Sequence, residues 1–192
     1  MKLIITFLLT SSFTFLFGQS PIEITQEYLQ ETVTKEIIFV SIKTQILYHI
    51  KDNKISSELI ISSSAYGTGN KEGSNKTPLG LHKVKQKYGD NTPINGRMIS
   101  RVYNGDIATI YKDKTKSKTD DVTTRILWLE GLEQGKNKGE GIDSFKRHIY
   151  IHGTSEEGRL GSPASHGCIR MKNKEVIDLY SKIAIGTLVL IL

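Results

Sequence analysis

The chain has 192 residues, which is long enough for one domain with a hydrophobic core and short for two. Hydrophobic residues make up 38% and charged residues 24%, a balance that is ordinary for a globular domain. The net charge is +6, but the lysines are dispersed and form no arginine-rich helix or aromatic-interleaved basic patch, so no nucleic-acid partner is predicted.

Residues 1–20 have the composition of a secretory signal peptide. A short basic start precedes an apolar run at 3–17, and small residues follow it. A membrane anchor is the alternative, but the run is shorter than the roughly 20 residues of a spanning helix, and several Ser and Thr residues dilute it. We therefore expect cleavage between Gly18 and Ser20. The mature protein is then exported to the periplasm or cell envelope and has no transmembrane anchor.

Residues 21–35 are expected to form a short N-terminal segment with helical character, before a β-rich stretch that starts at residue 36. Three short apolar runs follow, and the Lys-Asp-Asn-Lys sequence at 51–54 is typical of a hairpin turn. The runs predict a meander of three strands, at 37–40, 45–50 and 58–62.

Loops and short strands alternate in the rest of the chain. Gly, Ser and Asn dominate 63–76, hydrophilic residues fill 112–121, and glycines punctuate 131–141, so all three are predicted loops, with 112–121 mobile. An amphipathic helix is expected after an N-cap at Asn173. Short strands dominate, which predicts a single mainly-β domain over 36–192, a sandwich or partial barrel. Its further strands are expected at 81–86, 107–111, 125–129, 148–152 and 187–191.

Cys168 is the single cysteine of the chain, so it cannot form an internal disulfide. Small exported domains usually carry cysteines in even numbers, and a solitary thiol is a liability in an oxidising compartment unless it is used. A buried, inert cysteine is the alternative. The thiolate is the reactive form of cysteine, so a nucleophile of this kind needs a nearby base.

Two histidines are candidates for that base. His166 lies two residues before Cys168, whereas His152 ends the predicted strand 148–152. His152 is the preferred base, because a histidine at a strand end is held more rigidly and a second hydrogen bond can orient its ring. Gly167 gives the turn steric freedom, and the amides around Gly167 and Cys168 are candidate oxyanion donors. His148 shares the strand face with His152 but is assigned no role.

Other hydrolytic chemistries have less support in the sequence. A zinc site built from the histidines and Cys168 is the main rival, but it would leave the Gly-Cys turn and Arg170 without a role. Ser-x-x-Lys, Gly-x-Ser-x-Gly and His-Glu-x-x-His do not occur. The thiol is therefore the strongest nucleophile that the chain offers, and no metal or cofactor is expected.

These residues closely resemble the catalytic motif of the YkuD-type L,D-transpeptidases. Ile151-His152-Gly153-Thr154 is similar to its first half and Ser165-His166-Gly167-Cys168-Ile169-Arg170-Met171 to its second. Thr77-Pro78-Leu79-Gly80 resembles the Thr-Pro-x-Gly element of the family, and 186–191 resembles its closing strand. The resemblance covers most of 36–192, and 87–145 matches poorly.

The resemblance implies a β-sandwich with the cysteine in a cleft under a mobile lid. It also implies an enzyme of cell-wall synthesis that acts on peptidoglycan stem peptides. Cys168 would attack the bond between residue three and the terminal D-alanine of a tetrapeptide, with His152 as base. An amine would then resolve the thioester, giving a 3→3 cross-link or the attachment of an envelope protein. Arg170 would steer the substrate carboxylate, and the oxyanion side would be shaped by His166, Gly167, Gly153 and Ser165.

Two other functions use the same residues. An L,D-carboxypeptidase or endopeptidase would resolve the thioester with water, and a wall-binding module would have an inactive site. The lysine- and glycine-rich stretch 112–141 stands where the family varies its lid, so the sequence leaves the acceptor open.

Overall fold

The computed structural model describes residues 18–30 and 36–192, so most of the predicted signal peptide lies outside the described residues. The described part contains helices α1 (Pro21–Leu29) and α2 (Asn173–Lys182) and one 3₁₀ helix, Glu157–Arg159. Its strands are β1 (Glu36–Ser41), β2 (Ile46–Lys51), β3 (Lys54–Ser62), β4 (Gly80–Tyr88), β5 (Gly96–Ile99), β6 (Val102–Ile107), β7 (Thr123–Gly131), β8 (Tyr150–Gly153), β9 (Ile169–Met171) and β10 (Leu188–Ile191).

Strands β1, β2 and β3 form the predicted antiparallel meander. Asp52 and Asn53 connect β2 to β3 with φ values of 49° and 57°, in the left-handed region. Asp and Asn tolerate this region better than most residues, and two consecutive left-handed residues match the twist of a two-residue hairpin. The hairpin predicted at 51–54 is confirmed.

Eight strands close into a barrel, which confirms the predicted mainly-β class. Their order is β4, β10, β1, β2, β3, β9, β8 and β7, and β7 pairs with β4 again. The neighbours β1–β10 and β8–β9 are parallel, whereas the other pairs are antiparallel. Closure satisfies the backbone hydrogen bonds along both sides of each of these strands. The β5–β6 hairpin extends from β7, where Arg97 pairs with Thr123.

Two apolar clusters stabilise opposite faces of the strands. One joins alternate strand residues to α2, with Ile38 and Val40 of β1 packed in the same cluster as Val176 and Leu179. The other lies under α1 and includes Ile37, Phe39, Ile50 and Leu190. The period-2 alternation of β1 therefore fills both faces, as expected for a strand that is covered on both sides.

Three predicted boundaries are wrong. The strand expected at 107–111 lies earlier, because β6 ends at Ile107. Strand β8 begins at Tyr150, so exposed His148 precedes it, with a φ of 56° in the left-handed region. Asn173 is the first residue of α2 and not its N-cap. Its side chain is buried and is hydrogen-bonded to Thr123, Thr124, Thr154 and Glu157, so it is not available to cap the helix.

Candidate active site

The Cys168 thiol lies where the parallel strands β8 and β9 begin. The Tyr150 amide donates a hydrogen bond to Cys168 Sγ at 3.4 Å, and the thiol donates to the His148 carbonyl oxygen at 3.3 Å. Both contacts are made by the chain just before and at the start of β8. The residue as a whole keeps partial exposure.

The pKa of Cys168 is raised to about 12, chiefly by burial of the thiol group and in part by the Asp120 carboxylate. The Tyr150 amide and the positive charges of Arg170 and Arg147 act against this rise without reversing it. The thiol is therefore protonated at neutral pH. A nucleophilic role requires that a base removes the proton as the sulfur attacks.

His152 has the properties of such a base. Its side chain is 1% exposed, and its Nδ1 lies 2.7 Å from the Gly153 carbonyl oxygen. A carbonyl can only accept, so Nδ1 carries the proton and Nε2 keeps a free lone pair. Burial lowers the pKa of His152 below its usual value, although the Asp120 carboxylate opposes this shift. The imidazole is therefore neutral at pH 7 and able to accept a proton.

The hydrogen bonds of the described residues do not join His152 to Cys168, whose thiol proton points to the His148 carbonyl. Catalytic hydrogen bonds are often long without substrate and tighten when it binds. In the register of β8 and β9, His152 pairs with Arg170, two residues beyond Cys168. The base thus lies on β8, and the thiol belongs to the residue just before the adjacent parallel strand β9.

Ser165 and Gly167 hold the turn that presents the thiol. Ser165 Oγ donates a hydrogen bond to the Cys168 carbonyl at 2.6 Å and accepts one from the Gly167 amide at 3.2 Å. Gly167 has a φ of 126°, which L side chains rarely adopt, so glycine is required for this turn. The Thr77 hydroxyl donates to the Gly167 carbonyl at 3.0 Å and ties the turn to the Thr-Pro element.

The hydrogen bonds of this turn show which backbone amide is free to donate to an oxyanion. The Gly167 amide is used by Ser165, and the His166 amide donates to Asp120 at 3.2 Å. The hydrogen bonds found in the described residues include none from the Cys168 amide. Of the two amides expected from the sequence, that of Cys168 is therefore the available donor.

Gly153 is held at a close backbone contact. A Cβ added there would lie 2.5 Å from Asn173 Oδ1 and 2.8 Å from the Thr123 carbonyl oxygen. Any side chain would push these neighbours away and move the carbonyl that orients His152. Gly153 thus shapes the site by allowing close packing and by its carbonyl, which orients His152.

Arg170 does not occupy the position expected for substrate binding. Its side chain is 1% exposed, with Nη2 2.6 Å from Asp120 Oδ1 and Nη1 2.8 Å from Glu156 Oε2. Both ends of the guanidinium are paired, and a substrate carboxylate has no access to it. The expectation that Arg170 steers the stem carboxylate does not fit this geometry. The buried pairs instead connect β9 to the chain around Asp120 and Glu156.

Asp120 also binds His166. Its Oδ2 lies 2.7 Å from His166 Nδ1, and the His166 ring remains exposed beside Tyr66. Burial acts to raise the pKa of Asp120, but the Arg170 charge, nearby His152 and the hydrogen bond with His166 outweigh it and lower the pKa below its usual value. Asp120 is therefore a carboxylate at neutral pH. Among the described residues, no three His, Cys, Asp or Glu side chains form a metal site.

A family model describes this combination of barrel, histidine and cysteine turn. The model of the YkuD L,D-transpeptidase catalytic domain matches residues 35–191. The chain belongs to this family.

Individual relatives match over shorter stretches. YkuD of Bacillus subtilis (strain 168), assigned as an L,D-transpeptidase, is 50% identical over 46 residues, which is 24% of this chain and 28% of YkuD. An L,D-transpeptidase from Mycobacterium smegmatis aligns over 84% of this chain and 60% of its own, with 14% identity and a TM-score of 0.50. A solved L,D-transpeptidase in complex with imipenem aligns over 84% of this chain and 61% of its own, with 15% identity and a TM-score of 0.51. At these identities the solved structures show a shared fold. The chain spans less than two thirds of the length of each of these relatives.

The segment 112–121 in this YkuD-family domain is attached to the site. The Tyr111 amide donates to the Ser155 carbonyl at 2.8 Å, and the Ser117 amide donates to Glu156 at 2.7 Å. Asp120 adds its bonds to His166 and Arg170. The predicted loop is confirmed, because the segment has no helix or strand, and its mobility stays a prediction.

A second segment, the β5–β6 hairpin, reaches the neighbours of the thiol. Arg101 at its turn lies 4.6 Å from the centre of the Trp128 ring and donates to Tyr150 Oη at 3.3 Å. Tyr150 is the residue whose amide binds Cys168 Sγ. Sequence reasoning missed both Arg101 and Asp120, since each lies in a polar turn or loop with no motif.

No helix in the described residues has the length and hydropathy needed to cross a membrane.

Proposed function

We propose that this protein is an exported peptidoglycan L,D-transpeptidase in which Cys168 is the nucleophile and His152 the general base. The observation that carries the proposal is the hydrogen bond from His152 Nδ1–H to the Gly153 carbonyl, which leaves Nε2 as an acceptor on the strand adjacent to a neutral thiol. Such a pair needs no thiolate before substrate binds, because the proton moves during the attack.

In the first half-reaction, Cys168 Sγ bonds to the carbonyl carbon of stem residue three while His152 Nε2 accepts the thiol proton. The oxygen of the tetrahedral intermediate accepts a hydrogen bond from the Cys168 amide. The bond between that carbon and the D-alanine nitrogen then breaks, and His152 returns the proton to the leaving amine. A thioester and free D-alanine result.

In the second half-reaction, an amine attacks the thioester carbonyl and His152 accepts one of its protons. The carbon–sulfur bond breaks, and the proton returns to the Cys168 sulfur. A side-chain amine of a second stem gives a 3→3 cross-link, and an envelope protein can supply the amine instead. Water in place of the amine would make the protein an L,D-carboxypeptidase.

Residues 1–20 support export to the periplasm or cell envelope, where peptidoglycan stems are found. The single cysteine is consistent with that location, since a thiol used in catalysis has a reason to stay free there.

The decisive experiment is product analysis by mass spectrometry. The mature protein, residues 21–192, is incubated with disaccharide-tetrapeptide beside its Cys168→Ala and His152→Gln variants. We expect loss of D-alanine and formation of 3→3 dimers with the unaltered protein alone. Tripeptide without dimer would assign the carboxypeptidase reaction, and turnover by Cys168→Ala would overturn the proposed nucleophile.

A further inference from the structure

His148 lies next to the nucleophile and takes no part in either half-reaction. Its carbonyl oxygen accepts a hydrogen bond from the Cys168 thiol at 3.3 Å. The centre of its ring lies 5.3 Å from that of Trp128 and 6.3 Å from that of Tyr150. Cys168 packs against the same aromatic cluster. The imidazole and the sulfur therefore share their neighbours at the start of β8.

The His148 ring is free to exchange protons with solvent. The residue is exposed, and the hydrogen bonds and ion pairs of the described residues include none to its ring nitrogens. The other two histidines near the thiol differ from it. His152 is 1% exposed with its Nδ1 on the Gly153 carbonyl, and His166 has its Nδ1 on Asp120 at 2.7 Å. Of these three histidines, His148 combines solvent contact with two unused ring nitrogens.

The backbone of His148 is left-handed, with a φ of 56°. Glycine adopts this conformation without strain, and asparagine, aspartate and histidine tolerate it better than other residues do. Glycine or asparagine would thus place the carbonyl that faces Cys168 equally well, so the backbone alone does not require an imidazole here. A residue other than glycine in a strained conformation beside the reacting atom indicates a use for its side chain.

Resolution of the thioester by an amine has a proton requirement that resolution by water lacks. At neutral pH a side-chain amine is an ammonium, and only about one molecule in a few thousand is the free base that can attack. Two protons must therefore leave the nitrogen, one before the attack and one as the amide forms. His152 accepts the second and returns it to the Cys168 sulfur. The first needs another acceptor.

We propose that His148 is the base that removes this first proton from the acceptor ammonium, which makes it a catalytic residue for aminolysis and not for hydrolysis. The inference rests on the proposed transpeptidase function. One ring nitrogen takes the proton, and the imidazolium releases a proton to solvent. The neutral amine then attacks the thioester carbonyl, His152 takes its second proton, the carbon–sulfur bond breaks and the Cys168 thiol re-forms. One thioester and one ammonium thus give one amide, one thiol and one solvent proton.

The charges around His148 favour this transfer. The cavity that His148 lines has four other ionisable residues in its wall: Glu72, Lys146, Arg147 and His166. Lys146 and Arg147 are cations directly before His148 in the chain, and Glu72 offsets one of them. Burial raises the pKa of Tyr150, which therefore adds no negative charge at pH 7. Net positive surroundings disfavour an ammonium relative to its amine, and an exposed imidazole can pass the proton on to solvent.

The test follows the thioester by intact-protein mass spectrometry and the products by chromatography. The mature protein, residues 21–192, and its His148→Asn variant are mixed with disaccharide-tetrapeptide, since asparagine tolerates the left-handed backbone. We expect the thioester to form at an unaltered rate, because D-alanine leaves with the proton that His152 supplies. Formation of 3→3 dimers should fall about a hundredfold, as for removal of a general base. Tripeptide formation by water should be unaltered.

A second acceptor separates base catalysis from a structural role. Methoxyamine is a neutral free base at pH 7, so it needs no first deprotonation. The His148→Asn thioester should therefore react with methoxyamine as fast as the unaltered one, although it reacts slowly with the stem ammonium. Equal losses with the two acceptors would contradict the proposal, because a change in the shape of the site would slow both.

Chemical rescue and a matched variant complete the assignment. His148→Gly leaves space where the ring was, so added imidazole should raise its dimer formation about tenfold without changing the methoxyamine reaction. Asp52→Asn makes a similar change at an exposed residue of the β2–β3 turn, where φ is 49°, and should alter none of the rates. If His166→Gln gives the selective loss and His148→Asn does not, His148 is not the base.

The outcomes distinguish this inference from the proposed function. A thioester that gives dimers at the same rate in the unaltered and His148→Asn proteins would refute the role of His148 and leave the transpeptidase intact. If the unaltered protein forms no thioester, or yields tripeptide alone, the proposed transpeptidase function is wrong and this inference is wrong with it.

Discussion

Asp120 holds Arg170 and His166 at once, with Oδ1 2.6 Å from Arg170 Nη2 and Oδ2 2.7 Å from His166 Nδ1. One carboxylate from the 112–121 segment thereby fixes the residues on both sides of the Gly167-Cys168 turn. The hydrogen bonds and ion pairs of Asp120 in the described residues do not include the reacting sulfur. It is a positioning residue, and its effect on chemistry passes through the turn and through its charge.

The first prediction concerns the stability of this arrangement. Asp120→Asn leaves the buried Arg170 with Glu156 as its remaining anionic partner, and removing one member of a buried ion pair is costly because the other charge stays desolvated. We expect a loss of about 2 kcal/mol in the free energy of unfolding, measured by urea denaturation at pH 7. The exposed Asp178→Asn on α2 is the control and should change stability by less than about 0.5 kcal/mol. A similarly small effect of Asp120→Asn would mean that Arg170 is not held by this pair.

The second prediction concerns the reactivity of the thiol. With a pKa raised to about 12 by burial, Cys168 has very little thiolate at pH 8. Alkylation by iodoacetamide without substrate should therefore be at least about a hundredfold slower than for a free cysteine, and should accelerate up to the highest pH at which the protein stays folded. Intact-protein mass spectrometry gives the rate. Fast labelling at pH 7, independent of pH, would instead indicate a preformed thiolate–imidazolium pair and would contradict the proton transfer proposed here.

Much of the barrel could be predicted from short-range patterns. The Asp52-Asn53 turn and the apolar runs around it depend on neighbours in sequence, and so does the glycine at 167, where no other residue adopts the required φ without strain. These features were accessible because the physics that sets them acts over a few residues.

The misassigned part of the site depends on long-range packing. Arg170 is one residue of a three-residue strand that is buried along its whole length between β3 and β8. A charged residue two positions after a nucleophilic cysteine suggests an exposed ligand contact, and nothing local reveals the two carboxylates that pair with it. Asp120 lies 50 positions before Arg170 in a hydrophilic stretch, where its composition is that of any solvated loop. Only the fold brings them together.

The third prediction concerns the pH dependence of stability. Burial lowers the pKa of His82 to about 4, and the imidazole is hydrogen-bonded to Ser144 Oγ at 2.9 Å. Between pH 6.5 and 4 the unfolded chain binds a proton at this residue and the folded protein does not, so stability falls as the pH falls through this window. The loss attributable to His82 should be about 3 kcal/mol. His82→Gln should flatten the pH dependence of unfolding between pH 6.5 and 4, whatever its effect at pH 7. An unchanged slope would show that His82 titrates normally.

The fourth prediction uses Trp128, the single tryptophan of the chain, as a reporter of the β5–β6 hairpin. Arg101 covers its ring at 4.6 Å, and a contact of this kind contributes about 1 kcal/mol. Arg101→Ala should therefore expose the indole, red-shift its fluorescence and increase its quenching by acrylamide. Hydrogen exchange of the hairpin amides should accelerate about fivefold, which corresponds to the lost contact.

Val102→Ala, at a neighbouring side chain that is 67% exposed, is the control and should leave the emission unchanged. If Arg101→Ala and Val102→Ala give the same spectrum, Arg101 does not hold the hairpin against Trp128. If only Arg101→Ala responds, the hairpin closes over the Tyr150 side of the thiol through this one side chain.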